Sequence, residues 1–85
     1  MGYYIYILYS EKIDKYYIGS SVDPNKRLEY HNFGREGWTK IGTPWKMVFK
    51  KRFIDKKTAM EKEQFIKKQK SKKFIKKLID GEYDI

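Results

Sequence analysis

The chain has no cysteine and one histidine in 85 residues, and those shortages remove whole chemistries. Without cysteine there is no disulfide framework, no thiolate zinc site and no cysteine nucleophile. A stapled secreted scaffold is therefore untenable, and a cytoplasmic protein is the expectation. A lone His31 rules out a multi-histidine zinc site and would have to carry any Ser-His-Asp triad by itself. No segment approaches the ~18 apolar residues of a membrane span, and Met1-Gly2-Tyr3 opens with no basic n-region or cleavage site. The six glycines are scattered. There is no Walker-type loop, no GxGxxG fingerprint and no internal repeat, so nucleotide cradling has no support.

Acidic residues are also scarce, 11 Asp and Glu against 20 Lys and Arg, which leaves a formal charge of +9. Hydrophobic content of 40% with 18% aromatic is too rich for a disordered polycation, so the lysine overlies a real core. A chain this short buries only roughly 60% of its unfolded surface, enough for one domain over residues 1–85 with one core and one site. The basic excess is uneven. Lys67, Lys68, Lys70, Lys72, Lys73, Lys76 and Lys77 fall within one stretch that has no acid. Such a cluster suggests a polyanion partner, DNA first and RNA second, beside the plainer reading of a solvated helix face. A lysine-rich element on an acidic membrane surface is a distant third, because only the last helix supports it.

The run YYIYILY from Tyr3 to Tyr9 is apolar or aromatic on both faces, the pattern of a central strand covered above and below. Tyr16-Tyr17-Ile18-Gly19 resumes the strand signal after a polar stretch, predicting a hairpin with a longish loop, with Tyr17 and Gly19 on one face and Tyr16 and Ile18 on the other. Asp23-Pro24 starts a helix running to about His31-Asn32, since Asp accepts free first-turn amides and Pro lacks the one left unpaired. On it Arg27 and His31 share a face beside inward-pointing Leu28. Phe33 to Pro44, with Gly34, Gly37 and Gly42, reads as a loop within the fold. Trp45, Met47 and Phe49 alternate with Lys46 and Lys50, predicting a strand with one apolar and one basic face.

A further helix is predicted over about Lys56 to Gln69. At about 100° per residue, Ile66 and Glu63 both fall within about 40° of Ala59, whereas Glu61 faces away. A carboxylate on the core-facing stripe must be paired, protonated or bound to a cation. Phe74, Ile75, Leu78 and Ile79 then mark a last amphipathic helix stopped by Gly81. Taken singly, a strand tyrosine usually serves packing, and Tyr3, Tyr16 and Trp45 are assigned to it.

Tyr4-Ile5-Tyr6, Tyr17-Ile18-Gly19, Arg27, His31 and Glu63, in that order, resemble the GIY-YIG nuclease superfamily. YIYIL, YYIGSSVDPNKRLEYHN, TPWKMVF and AMEKEQFIKK are similar to its small bacterial branch, the YhbQ/YazA-like proteins of UPF0213 type, related to the N-terminal nuclease module of UvrC. Tyr4 stands where the family has its first glycine, and Ser20 where some relatives carry lysine. The resemblance implies an α+β fold, a three-stranded antiparallel sheet with about three helices in the order β-β-α-β-α-α. It implies a Mg²⁺- or Mn²⁺-dependent endonuclease acting on DNA with low sequence specificity, in repair or recombination. Glu63 would be the metal ligand and Arg27 the phosphate clamp. Tyr17, or else Tyr6, would be the base, its phenol of pKa ~10 lowered by Arg27 and the metal. His31 would take the proton onward or contact phosphate. Gly19 would give clearance for substrate or a neighbouring backbone. A monomer is expected, targeted by a separate protein partner. The alternative is a non-catalytic nucleic-acid-binding module that keeps the fold.

Overall fold

The structure, a computed structural model, describes residues 2–33 and 38–85. Three strands and three helices follow in the order β1 (Tyr3–Ser10), β2 (Lys15–Ser21), α1 (Pro24–Phe33), β3 (Lys46–Phe53), α2 (Lys56–Gln69) and α3 (Lys72–Ile79). The sheet is antiparallel throughout with strand order β2-β1-β3. This is the expected α+β arrangement, with YYIYILY in the middle. Ile5, Tyr6, Ile7 and Leu8 are all buried, which consecutive residues achieve only when both faces of the strand are covered.

The two faces carry different cores. Ile5 and Ile7 pack with Ala59 and Ile66 of α2 and with Ile75 and Leu78 of α3, and Tyr16 and Ile18 of β2 lie against them. On the opposite face Tyr6, Leu8 and Trp45 form the second cluster, joined by Tyr17, Leu28 and Met47. The period-2 split of Tyr16/Ile18 from Tyr17 is therefore as the sequence predicts.

β3 departs from its expected pattern. Its register against β1 shifts between Ile7 and Leu8, so that Ile7 pairs with Phe49 and Leu8 with Met47. The extra residue, Val48, is a bulge of the kind that redirects the side chains beyond it. Met47 stays with Trp45, while Val48 and Phe49 pack on the helical face. The strand consequently feeds both cores instead of having one apolar and one basic face. The expected loop before it also differs. Its Gly34–Gly37 portion lies outside the described residues, and a short 3-10 helix covers Trp38–Gly42.

The helix ends are built by local chemistry. The Asp55 carboxylate accepts the Thr58 amide at 2.8 Å to start α2, and the Ser71 hydroxyl oxygen accepts the Phe74 amide at 3.1 Å to start α3. Lys70 separates the two helices in the left-handed conformation, φ 47°. Gly81, φ 79°, follows α3 where a side chain would be strained. Asn32 at the end of α1 grips the chain entering β3: its Oδ1 accepts from Trp45 N at 2.5 Å and its Nδ2 donates to Trp45 O at 3.2 Å.

Candidate active-site cleft

β2 is an edge strand whose alternating residues face the two cores, so groups mounted on opposite sides of the sheet can meet only around its end. They do so in an open cleft of about 280 Å³ bordered by Tyr6, Tyr17, Gly19, Arg27 and Glu63. Arg27 arrives from α1 on one side and Glu63 from α2 on the other. Of the residues singled out in the sequence, these five share the cleft, and His31 stands directly behind them. Ser20, Lys56, Met60 and Tyr3 also line it. The first three were not legible as site residues, because their placement depends on how α2 docks against β2. Tyr3 has a packing role as expected and borders the cleft as well.

Tyr6 is the innermost group, 1% exposed. Its hydroxyl lies 3.3 Å from His31 Nε2, its ring stacks on Tyr17 at 6.3 Å between centroids, and Tyr17 lies 4.4 Å from the His31 ring. Burial, then the neighbouring Tyr17, push the Tyr6 phenol up to about 12, although Arg27 pulls the other way. The expected lowering by Arg27 is therefore outweighed at Tyr6, which stays a neutral hydroxyl and a hydrogen-bond donor. His31 is shifted the other way. Burial first, then the Arg27 charge, lower its pKa, so the imidazole is neutral at neutral pH, and its buried Nδ1 has no hydrogen-bond partner among the described residues.

Gly19 has a specific neighbour. A Cβ placed there would fall 2.5 Å from the Tyr6 hydroxyl and 2.6 Å from the adjoining ring carbon. The space beside this glycine is occupied by the Tyr6 ring, not by a neighbouring backbone.

Glu63 points inward, its side chain only 12% exposed, as its position on the helical stripe predicts. It is paired at both oxygens: Ser20 Oγ donates to Oε1 at 2.5 Å, and Lys67 Nζ lies 2.6 Å from Oε2. Ser20 thus orients the carboxylate. No group of three His, Cys, Asp or Glu side chains that could hold a metal occurs among the described residues. The donor chemistry nevertheless fits a hard cation, since Mg²⁺ is commonly bound through one or two carboxylates and keeps several waters. Lys67, paired with Oε2, would compete with such an ion for the carboxylate.

The seven clustered lysines do not form one surface. Lys67 is engaged with Glu63, and Lys72 with the Asp14 carbonyl at 2.8 Å and carboxylate at 3.0 Å. Lys67, Lys70 and Lys72 border one cavity beside β2, whereas Lys68 borders a shallow groove along α2 with Lys56, Lys57 and Glu61. Lys73, Lys76 and Lys77 are exposed on α3.

A β-β-α-β-α-α fold that gathers two tyrosines, an arginine and a glutamate around its edge strand defines a known class. Residues 2–77 match the GIY-YIG catalytic domain, and the chain belongs to the GIY-YIG family. Within it the similarity is to the UPF0213 branch. A UPF0213 protein of Streptococcus pneumoniae serotype 4 (strain ATCC BAA-334 / TIGR4) is 34% identical over 68 residues, 79% of this chain and 68% of that protein. The UPF0213 protein YazA of Bacillus subtilis (strain 168) is 35% identical over 63 residues, 73% of this chain and 64% of its own length. The solution NMR structure of the UPF0213 protein BH0048 from Bacillus halodurans superposes with a TM-score of 0.58 at 27% identity, covering 94% of this chain and 84% of that one.

Proposed function

We propose that the chain is a single GIY-YIG domain that binds the sugar–phosphate backbone of nucleic acid, DNA first, across the cleft at the end of β2. The observation that carries this reading is the position of the Arg27 guanidinium, exposed at the mouth of a cleft in a protein of charge +9. A planar, permanently charged fork suits phosphate oxygens. Lys56 adds a second cation to the same cleft. Both oxygens of Glu63 are satisfied within the protein, which favours a binding module that retains the fold.

Hydrolysis of the bound phosphodiester is the second reading, favoured by the convergence of two phenols, a guanidinium and a half-buried carboxylate on one cleft. Glu63 would hold a single Mg²⁺ or Mn²⁺, which when bound supplies Lewis-acid stabilisation of charge on the phosphate. Arg27 would hold the phosphate and neutralise charge as it develops. Tyr6, kept protonated by its raised pKa, would orient water or phosphate by donating a hydrogen bond. The base would then be Tyr17, with neutral His31 against its ring positioned to take the proton onward.

One experiment separates these readings. Purified protein is mixed with plasmid and with a fluorescent single-stranded oligonucleotide, with and without Mg²⁺ or Mn²⁺, beside Arg27→Ala and Glu63→Gln. Both readings expect saturable binding that Arg27→Ala weakens severalfold. Metal-dependent nicking that is absent in Glu63→Gln establishes hydrolysis, and binding without nicking leaves the module. Absence of binding would remove both.

A further inference from the structure

Beyond the cleft, a chemically distinctive cavity of about 420 Å³ lies between β2 and the junction of α2 with α3, within the roughly 300–1,000 Å³ range of small-molecule sites. Lys15, Lys67, Lys70 and Lys72 stand around it, and no acidic side chain among the described residues borders it. Its inner wall is apolar, built from Ile18, Ile66 and Ile75, with the half-buried Tyr16 beside them. Tyr17 borders both this cavity and the cleft, and Lys67 joins them by pairing with Glu63. The two hollows are thus neighbours along the same edge strand.

A cationic rim over an apolar and aromatic wall is the combination that single-stranded nucleic acid requires: lysines for the phosphates, and a flat nonpolar surface for a base removed from its stack. A duplex keeps its bases stacked inside and cannot insert one here without unpairing it. We propose that this cavity receives a nucleotide of single-stranded nucleic acid adjacent to the phosphate held in the cleft. The inference rests on the preceding reading of the cleft as a backbone-binding site and adds to it a strand preference and a second subsite.

Lys67 and Lys72 are already engaged by Glu63 and Asp14, so Lys15 and Lys70 are the rim cations to test. The variant Lys15→Gln/Lys70→Asn removes both charges, and asparagine tolerates the left-handed backbone at position 70. The probe is a labelled oligothymidylate, single-stranded or annealed to its complement, followed by fluorescence anisotropy over a salt series. Wild type is expected to favour the single strand. The variant is expected to bind it more weakly, with a log–log salt slope shallower by about 1.4, at roughly 0.7 per phosphate contact. In methyl NMR spectra of the wild-type protein, the signals of Ile18, Ile66 and Ile75 should shift on addition of the same oligonucleotide. An unchanged slope together with silent isoleucine methyls overturns the cavity subsite. If Arg27→Ala still weakens binding in that case, the cleft reading survives alone. If neither variant alters binding, both fall.

Discussion

Tyr6 and Gly19 fit one another closely enough that neither can be read alone. The ring of Tyr6 fills the space a Cβ at Gly19 would need, and that fit seats the phenol against His31. His31 is where the site couples to pH. Its folded pKa lies below the unfolded value of about 6.5, so the unfolded chain binds the extra proton first. The stabilising contribution is complete above about pH 6.5 and is lost as pH falls through the lowered folded value. Urea midpoints of the wild type should therefore decline below about pH 6.5, and His31→Gln should flatten that decline above the range where carboxylates titrate. Coincident curves would refute the assignment to His31. At this scale the sequence was legible where a residue's neighbours are its own helix or strand. The inward direction of Glu63 follows from its spacing to Ala59 and Ile66. Its partnership with Ser20 joins residues 43 apart in the chain, and no local spacing encodes that. Lys67 was legible as a cation, not as the partner that neutralises Glu63.

The elements that carry the site are held by their ends. α2 begins on the Asp55 cap and stops at Lys70, and α3 restarts at once on the Ser71 cap. With only Lys70 and Ser71 between them, the second cap decides the angle at which the lysine-rich helix leaves. Ser71→Ala should cost about 0.5–2 kcal/mol, the usual range for a lost N-cap, measured by chemical denaturation. Lys72 also ties α3 to the hairpin turn through Asp14, whose carboxylate is held below its ordinary range first by the Tyr9 hydroxyl and then by Lys72. Caps and strand periods are local chemistry, which is why the element order and boundaries could be read in advance. The bulge in β3 could not. It is a disagreement in register between two strands, visible only once Ile7 and Leu8 are set opposite Phe49 and Met47.

Across the whole molecule, positive charge is distributed by direction. A count along the sequence places seven lysines in one block, but the fold sends Lys70 to the β2 cavity and Lys68 to the groove shared with Glu61. Electrostatic contributions fade over a Debye length of about 8 Å at physiological ionic strength, so these lysines should not be equivalent. Lys68→Ala is expected to change the salt slope for oligothymidylate less than Lys70→Asn does, and equal effects would indicate a diffuse field instead of a defined track. No helix among the described residues is long and apolar enough to cross a membrane.

The extra residue in β3 ties the two sides of the sheet together. Straightening the strand at constant length, with Val48 opposite Ile7, would carry Phe49 away from the α2 layer toward Trp45 and Met47, emptying one interior while overfilling the other. Deleting Val48 instead would leave Phe49 opposite Ile7 and Met47 opposite Leu8, and would cost the α2 layer one side chain. Loss of one residue at the bulge should therefore be better tolerated than loss of one elsewhere in the strand.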